Sequence, residues 1–98
     1  MRRKLARKSK YWVYIVECKD GTYYTGFTND LDKRIRHHNE GCGAKYVKNK
    51  LPVKLVYSKE YRYYKNVLRR EKNIKKLTRK QKEKLIEIYE RNNRRNGD

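Results

Sequence analysis

The chain has 98 residues, enough for one domain with a modest core and too few for two. Lys and Arg number 29 against 11 acidic residues, a formal net charge of +18 and a pI near 10.1. That imbalance favours a polyanionic partner, nucleic acid before an anionic membrane, because the basic segments lack a strongly apolar opposite face.

Residues 1–10 hold six basic and no acidic side chains, which predicts a loosely ordered arm. The longest apolar run, Tyr11 to Val16, is too short for a signal-peptide core or a membrane span, so a cytoplasmic protein is expected. Cys18 and Cys42 are then expected as free thiols. A zinc site joining them to His37 and His38 is disfavoured, because adjacent helical residues point about 100° apart.

Trp12 onward reads as a strand, and Asp20-Gly21 before a second β-type run marks a hairpin. A two-residue loop would put Tyr14 and Tyr24 on opposite faces. A three-residue loop, Lys19-Asp20-Gly21, instead pairs Cys18 with Thr22, Val16 with Tyr24 and Tyr14 with Gly26. This register is preferred because it sorts the faces: Tyr14, Val16, Tyr24 and the bare Gly26 on one, Val13, Ile15 and Phe27 on the other. Gly26 would then leave room for a ligand beside Tyr14.

Thr28, Asn29 and Asp30 can each cap a helix that Gly41 stops. On it Leu31, Arg34, Ile35 and His38 share one side, and the ordinary expectation for Arg34 and His38 is that both reach solvent from the edge of the stripe. Gly41 to Pro52, with Lys45, Lys48 and Lys50 and no acid, reads as an exposed basic loop suited to phosphate contact. Val53 to Lys59 alternates Val53, Leu55 and Tyr57 against Lys54, Val56 and Ser58, a third strand.

A helix between Arg62 and Lys76 lines up Tyr64, Val67, Leu68, Glu71 and Ile74. Glu71 is the misfit, since a carboxylate on a core-facing stripe needs a cation, a basic partner or a hydrogen-bond network. Thr78 and Gln81 form a capping box for the last helix, whose apolar side is Leu85, Ile86 and Tyr89. Residues 92–98 read as a frayed tail. The sum is one α/β (α+β) domain over residues 11–91, in the order β-β-α-β-α-α, with a three-stranded antiparallel sheet flanked by helices.

Trp12-Val13-Tyr14, then Tyr24-Thr25-Gly26, then Arg34 and His38 spaced R-x-x-x-H together resemble the GIY-YIG nuclease domain, over roughly Tyr11 to Leu77. The layout is similar to the small stand-alone bacterial members. Trp12 stands where the family has its first glycine and Thr25 where it has isoleucine; both tyrosines and the second glycine are present.

The resemblance implies DNA phosphodiester hydrolysis with one divalent metal, Mg²⁺ or alternatively Mn²⁺, held by Glu71 within its R-E-K-x-I-K run. It further implies Arg34 as the phosphate brace, Tyr14 as proton acceptor from the attacking water, and Tyr24 and His38 as orienting groups. Gly26, Lys45, Lys48 and Lys50 are the substrate-binding candidates. Family members place an asparagine late in the domain; Asn92 and Asn93 are its candidates, and neither is assigned. DNA is the expected partner, with RNA a second polyanion. A monomer is expected, and any targeting would come from DNA structure or from a partner protein. The alternative is a catalytically silent, basic nucleic-acid-binding module of the same fold; an adaptor acting through exposed tyrosines would leave the net charge of +18 unexplained.

Overall fold

Asp20 and Gly21 decide how the first two strands meet. In the computed structural model, which describes residues 10–97, Gly21 takes a left-handed φ of 87°, a conformation that costs a glycine little. The Gly21 N–H donates to the Cys18 carbonyl at 2.9 Å and the Cys18 N–H to Thr22 at 2.8 Å. Asp20 Oδ1 accepts from both the N–H and the hydroxyl of Thr22, at 3.1 and 2.6 Å. The three-residue loop is therefore formed, and strand β1 (Tyr11–Glu17) pairs with β2 (Tyr23–Thr28) so that Val16 faces Tyr24 and Tyr14 faces Gly26. The basic arm, except Lys10, lies outside the described residues.

Helix α1 (Leu31–Asn39) starts on Asp30, whose side chain accepts from the Lys33 N–H at 3.2 Å. It stops at Gly41, φ 82°, where the N–H groups of Gly41 and Cys42 return to the carbonyls of His38 and His37 at 3.1 and 2.9 Å, a Schellman closure. A short 3₁₀ turn (Lys45–Val47) and strand β3 (Lys54–Tyr61) follow, then helices α2 (Tyr64–Lys75) and α3 (Arg79–Gly97). The order is β-β-α-β-α-α around an antiparallel sheet in the order β2-β1-β3. The Thr78–Gln81 capping box is made in both directions, at 2.9 and 3.2 Å. Among the described residues no helix is long and apolar enough to cross a membrane.

Central strand β1 is covered on both sides, and Val13 to Val16 are fully buried. Val13 and Ile15 join Val56, Tyr57, Val67, Ile74 and Ile86 beneath α2 and α3. Tyr14, Val16 and Cys18 join Val47 and Val53, with Leu31 and Ile35 of α1 packed against them.

Four expectations change. Tyr57 does not share a face with Val53 and Leu55, because a β-bulge lets Ile15 and Val16 pair with Tyr57 and Leu55, leaving Val56 as the extra residue. Tyr57 thus turns to the Val56 side, where its ring meets Tyr89 of α3 at 5.4 Å. The basic loop is not wholly exposed, since Val47 is fully buried and plugs the Tyr14 side of the core. The space beside Gly26 is filled by Tyr14 itself: a Cβ there would meet the phenol oxygen at 2.7 Å. Finally, in the stretch read as a frayed tail, α3 continues through Asn92 and Asn93 to Gly97.

Candidate active site

The site is built around the Tyr14 hydroxyl. Tyr14 is 0% exposed, and its phenol is hydrogen-bonded to His38 Nε2 at 2.9 Å. Arg34 Nε donates to the same oxygen at 3.2 Å. Arg34 and His38 lie one helical turn apart on the face of α1 that packs on the sheet, so two α1 side chains converge on one β1 hydroxyl.

His38 does not reach solvent from the helix edge. It is 0% exposed, and Gly43 makes this possible: any side chain there would collide with the imidazole at Nδ1. Burial first, then the charges of Arg34 and His37, hold the His38 pKa down to about 4, so the ring is neutral at neutral pH. Among the described residues its Nδ1 has no hydrogen-bond partner. Burial also pushes the Tyr14 phenol up, against the hydrogen bond and charge of Arg34 pulling it down; Tyr24 and Glu71 add to the rise. The hydrogen bond to Tyr14 raises the Arg34 pKa further, with Tyr24 contributing, so the guanidinium is a fixed charge.

Tyr24 closes the group from β2. Its ring lies 6.5 Å from that of Tyr14 and meets His38 edge-on at 5.7 Å. Its outer side is stacked on Tyr46 at 5.9 Å and 24°. Lys50 Nζ sits 3.9 Å from the Tyr46 ring centroid and 3.5 Å from Asp20. Hydrogen bonds from Thr22 and Lys50 lower the Tyr46 pKa. Lys50 therefore ties the middle loop to the hairpin, whereas Lys45 and Lys48 are exposed on and just after the 3₁₀ turn.

Glu71 approaches from elsewhere. The buried residues of its helix, Val67 and Ile74, belong to the opposite-face cluster, so Glu71 sits on an element of a different layer than the other four. Its side chain is 15% exposed and pairs with Lys75 Nζ at 3.2 Å, yet its charge is felt at the Tyr14 phenol. Among the described residues no three His, Cys, Asp or Glu side chains form a metal cluster. A lone, partly buried carboxylate whose lysine partner is half exposed still fits a cation that keeps most of its ligands as water and phosphate oxygens. Asn92 and Asn93 line a cavity with Tyr57, Ser58 and Lys59 at the β3 edge, together with Leu85, Ile88 and Tyr89 of α3.

This arrangement of two tyrosines, Arg34 and His38 coincides with the match of the GIY-YIG catalytic domain to residues 10–84. The chain belongs to the GIY-YIG family. Among relatives, the UPF0213 protein CPE1444 of Clostridium perfringens is 55% identical over 75 residues, spanning 76% of this chain and 81% of that one. The UPF0213 protein YazA of Bacillus subtilis is 44% identical over 79 residues, 81% of this chain and 80% of its own. The solution structure of UPF0213 protein BH0048 of Bacillus halodurans superposes with a TM-score of 0.55 at 42% identity, covering 81% of this chain and 84% of that one. The solution structure of EF2693 from E. faecalis gives 0.58 at 33% identity, covering 85% and 88%.

Within this GIY-YIG chain, Thr25 at the family's isoleucine position is buried, and among the described residues its hydroxyl has no hydrogen-bond partner. It is opposite Ile15 and takes the place of an apolar residue in the core. Sequence reasoning missed Tyr46 and Gly43. The available signals were an aromatic set among lysines in K-Y-V-K and a second glycine two residues beyond the helix stop.

Proposed function

We propose that this GIY-YIG domain hydrolyses phosphodiester bonds in DNA with the help of one divalent cation, Mg²⁺ or Mn²⁺. The observation that carries the reading is the Tyr14 hydroxyl, buried in a hydrophobic layer yet contacted by both Arg34 and a neutral His38. A tyrosine needed only for packing would not require an arginine and an imidazole on its oxygen, and burying the imidazole, as His38 is, is costly.

Arg34 has five N–H donors. Those left after Tyr14 and Tyr24 are available to a phosphoryl oxygen, where a fixed planar cation stabilises developing charge. On this reading Tyr14, held in its phenol form by burial, would pass a proton, its oxygen handing one to His38 Nε2 as it takes another from an attacking water. Tyr24, braced by Tyr46, fixes the position of His38. Glu71 would hold the cation, which when bound supplies charge stabilisation to the phosphate and a more acidic water.

The Glu71–Lys75 pair favours a second reading, in which Glu71 is only an ion-pair partner and the chain is a binding module. Glu71→Gln separates the two. The hydrolytic reading expects cleavage of branched, nicked, single-stranded or duplex DNA with Mg²⁺ to be abolished while DNA affinity and melting temperature stay close to wild type. Full cleavage by the variant would remove the ligand role. A drop in melting temperature with no cleavage by either protein would favour the binding module.

A further inference from the structure

The surface at the start of α2 carries aromatic rings that the Tyr14 group does not use. Tyr63 and Tyr64 are 50% and 49% exposed and, with Lys65 and Asn66, line a cavity of about 390 Å³. Tyr64 rests on Tyr11 and Phe27, whose ring centroids lie 5.6 and 5.8 Å away, so its ring is held from behind. A single exposed ring needs no explanation, whereas adjacent rings over a floor of further rings form a patch. Asn66 also belongs to a neighbouring cavity of about 180 Å³ with Tyr61, Arg69, Arg70 and Asn73.

Along the chain the patch is flanked mainly by positive charge. Residues 61–70 include Arg62, Lys65, Arg69 and Arg70 and no acid. Glu60, just before them, is paired with Lys10 at 3.8 Å. Planar rings flanked by cations match bases stacked on the rings with phosphates on the cations. A second copy of this chain would instead bring another net charge of +18 to the same place. A duplex keeps its base faces against one another, so only unpaired nucleotides can offer a face to a tyrosine.

We propose that Tyr63 and Tyr64 form a stacking platform for unpaired nucleotides of a nucleic-acid strand, with Arg62, Lys65 and Arg69 on its phosphates. The platform is separate from the Tyr14 group. Phe27, which backs Tyr64, directly follows Gly26, which lies against the Tyr14 phenol. Consecutive strand residues point to opposite faces, so platform and phenol lie on the two sides of one end of β2. Binding at the platform requires no cleavage and stands whether or not the chain hydrolyses DNA.

Tyr63 occupies the N-cap position of α2 without making a side-chain cap hydrogen bond, so Tyr63→Ala deletes the ring and no cap. The probe is a labelled oligothymidylate of about 16 nucleotides, the upper site size of a single-strand groove, beside a duplex of equal length, both in EDTA so that hydrolysis is not read. For Tyr63→Ala the Kd for the oligothymidylate should rise roughly 5- to 150-fold, the equivalent of one lost stacked base, with the duplex Kd unchanged. Tyr63→Phe should bind as wild type. An unchanged Kd for Tyr63→Ala, an equal loss on single strand and duplex, or a loss in Tyr63→Phe as large as in Tyr63→Ala would overturn the platform. A second measurement on the wild type needs no variant: the Tyr63 and Tyr64 ring resonances should move upfield as oligothymidylate saturates, and static resonances would overturn it. So would a dimer, seen by sedimentation, that Tyr63→Ala dissociates.

Discussion

Tyr14 is the residue on which folding and chemistry can be told apart by one atom. Tyr14→Phe keeps the ring over Gly26 and strips His38 Nε2 and Arg34 Nε of their shared partner. Losing such a hydrogen bond in a buried setting costs about 1 to 3 kcal/mol, whereas a positioned proton-transfer group supplies about 10²- to 10⁴-fold in rate. The proposed role therefore expects a modest fall in melting temperature and a loss of cleavage by at least the lower of those factors; cleavage within a few-fold of wild type would exclude it. His38 supplies a pH dependence of stability. Its pKa is 6.5 as a free side chain and about 4 in the fold, so between those values the unfolded chain binds more protons than the native one. The stability from keeping His38 neutral is fully present above about pH 6.5 and lost as pH falls towards 4, up to about 3 kcal/mol. Urea midpoints across that window should fall more steeply for wild type than for His38→Gln, and parallel curves would show that the buried imbalance is not there.

The elements differ in how far the amino-acid sequence betrays them, and the reason is local versus distant causation. Asp20-Gly21 and the alternation around it are sufficient for the hairpin, because a left-handed glycine selects the loop and the loop selects the register. From that register follow the shared face of Tyr14 and Tyr24 and the approach of Gly26, all of them present in the structure. The Asp30 cap, the Gly41 stop and the Thr78–Gln81 box are likewise decided within a few residues. Three features are decided by partners far along the chain. The bulge at Val56 belongs to the pairing of β3 with β1, and no property of Val56 announces it. Val47 looks like one apolar residue in a lysine-rich loop until α1 and β3 leave a hole for it. His38 looks like a rim residue until Gly43 removes the side chain that would have kept the imidazole out. The site was thus legible as a set of residue types at a spacing, while its burial, its shifted pKa values and the Tyr46 brace depend on tertiary contacts.

For the whole molecule the excess of positive charge acts on binding and on stability with opposite signs. The salt bridges Lys75–Glu71, Arg79–Glu83, Lys84–Glu87 and Arg91–Glu87 each join neighbours on one helix, so they neutralise locally and leave most of the +18 to repel itself. Salt screens that repulsion, since the Debye length falls from about 30 Å at 0.01 M to about 10 Å at 0.1 M. Added NaCl should therefore raise the melting temperature over this range. Binding should go the other way: log Kd for duplex DNA should rise with log salt by about 0.9 per neutralised phosphate, and for single strands by about 0.7. Lys45 and Lys48 are exposed beside the Tyr24–Tyr46 stack. If they bear phosphates, the Lys45→Ala/Lys48→Ala double variant should bind more weakly and lower the duplex slope by about 2, with no loss of fold. A double variant with the wild-type slope would place the duplex elsewhere on the molecule, and a flat slope in the wild type itself would remove DNA as the partner that the charge selects.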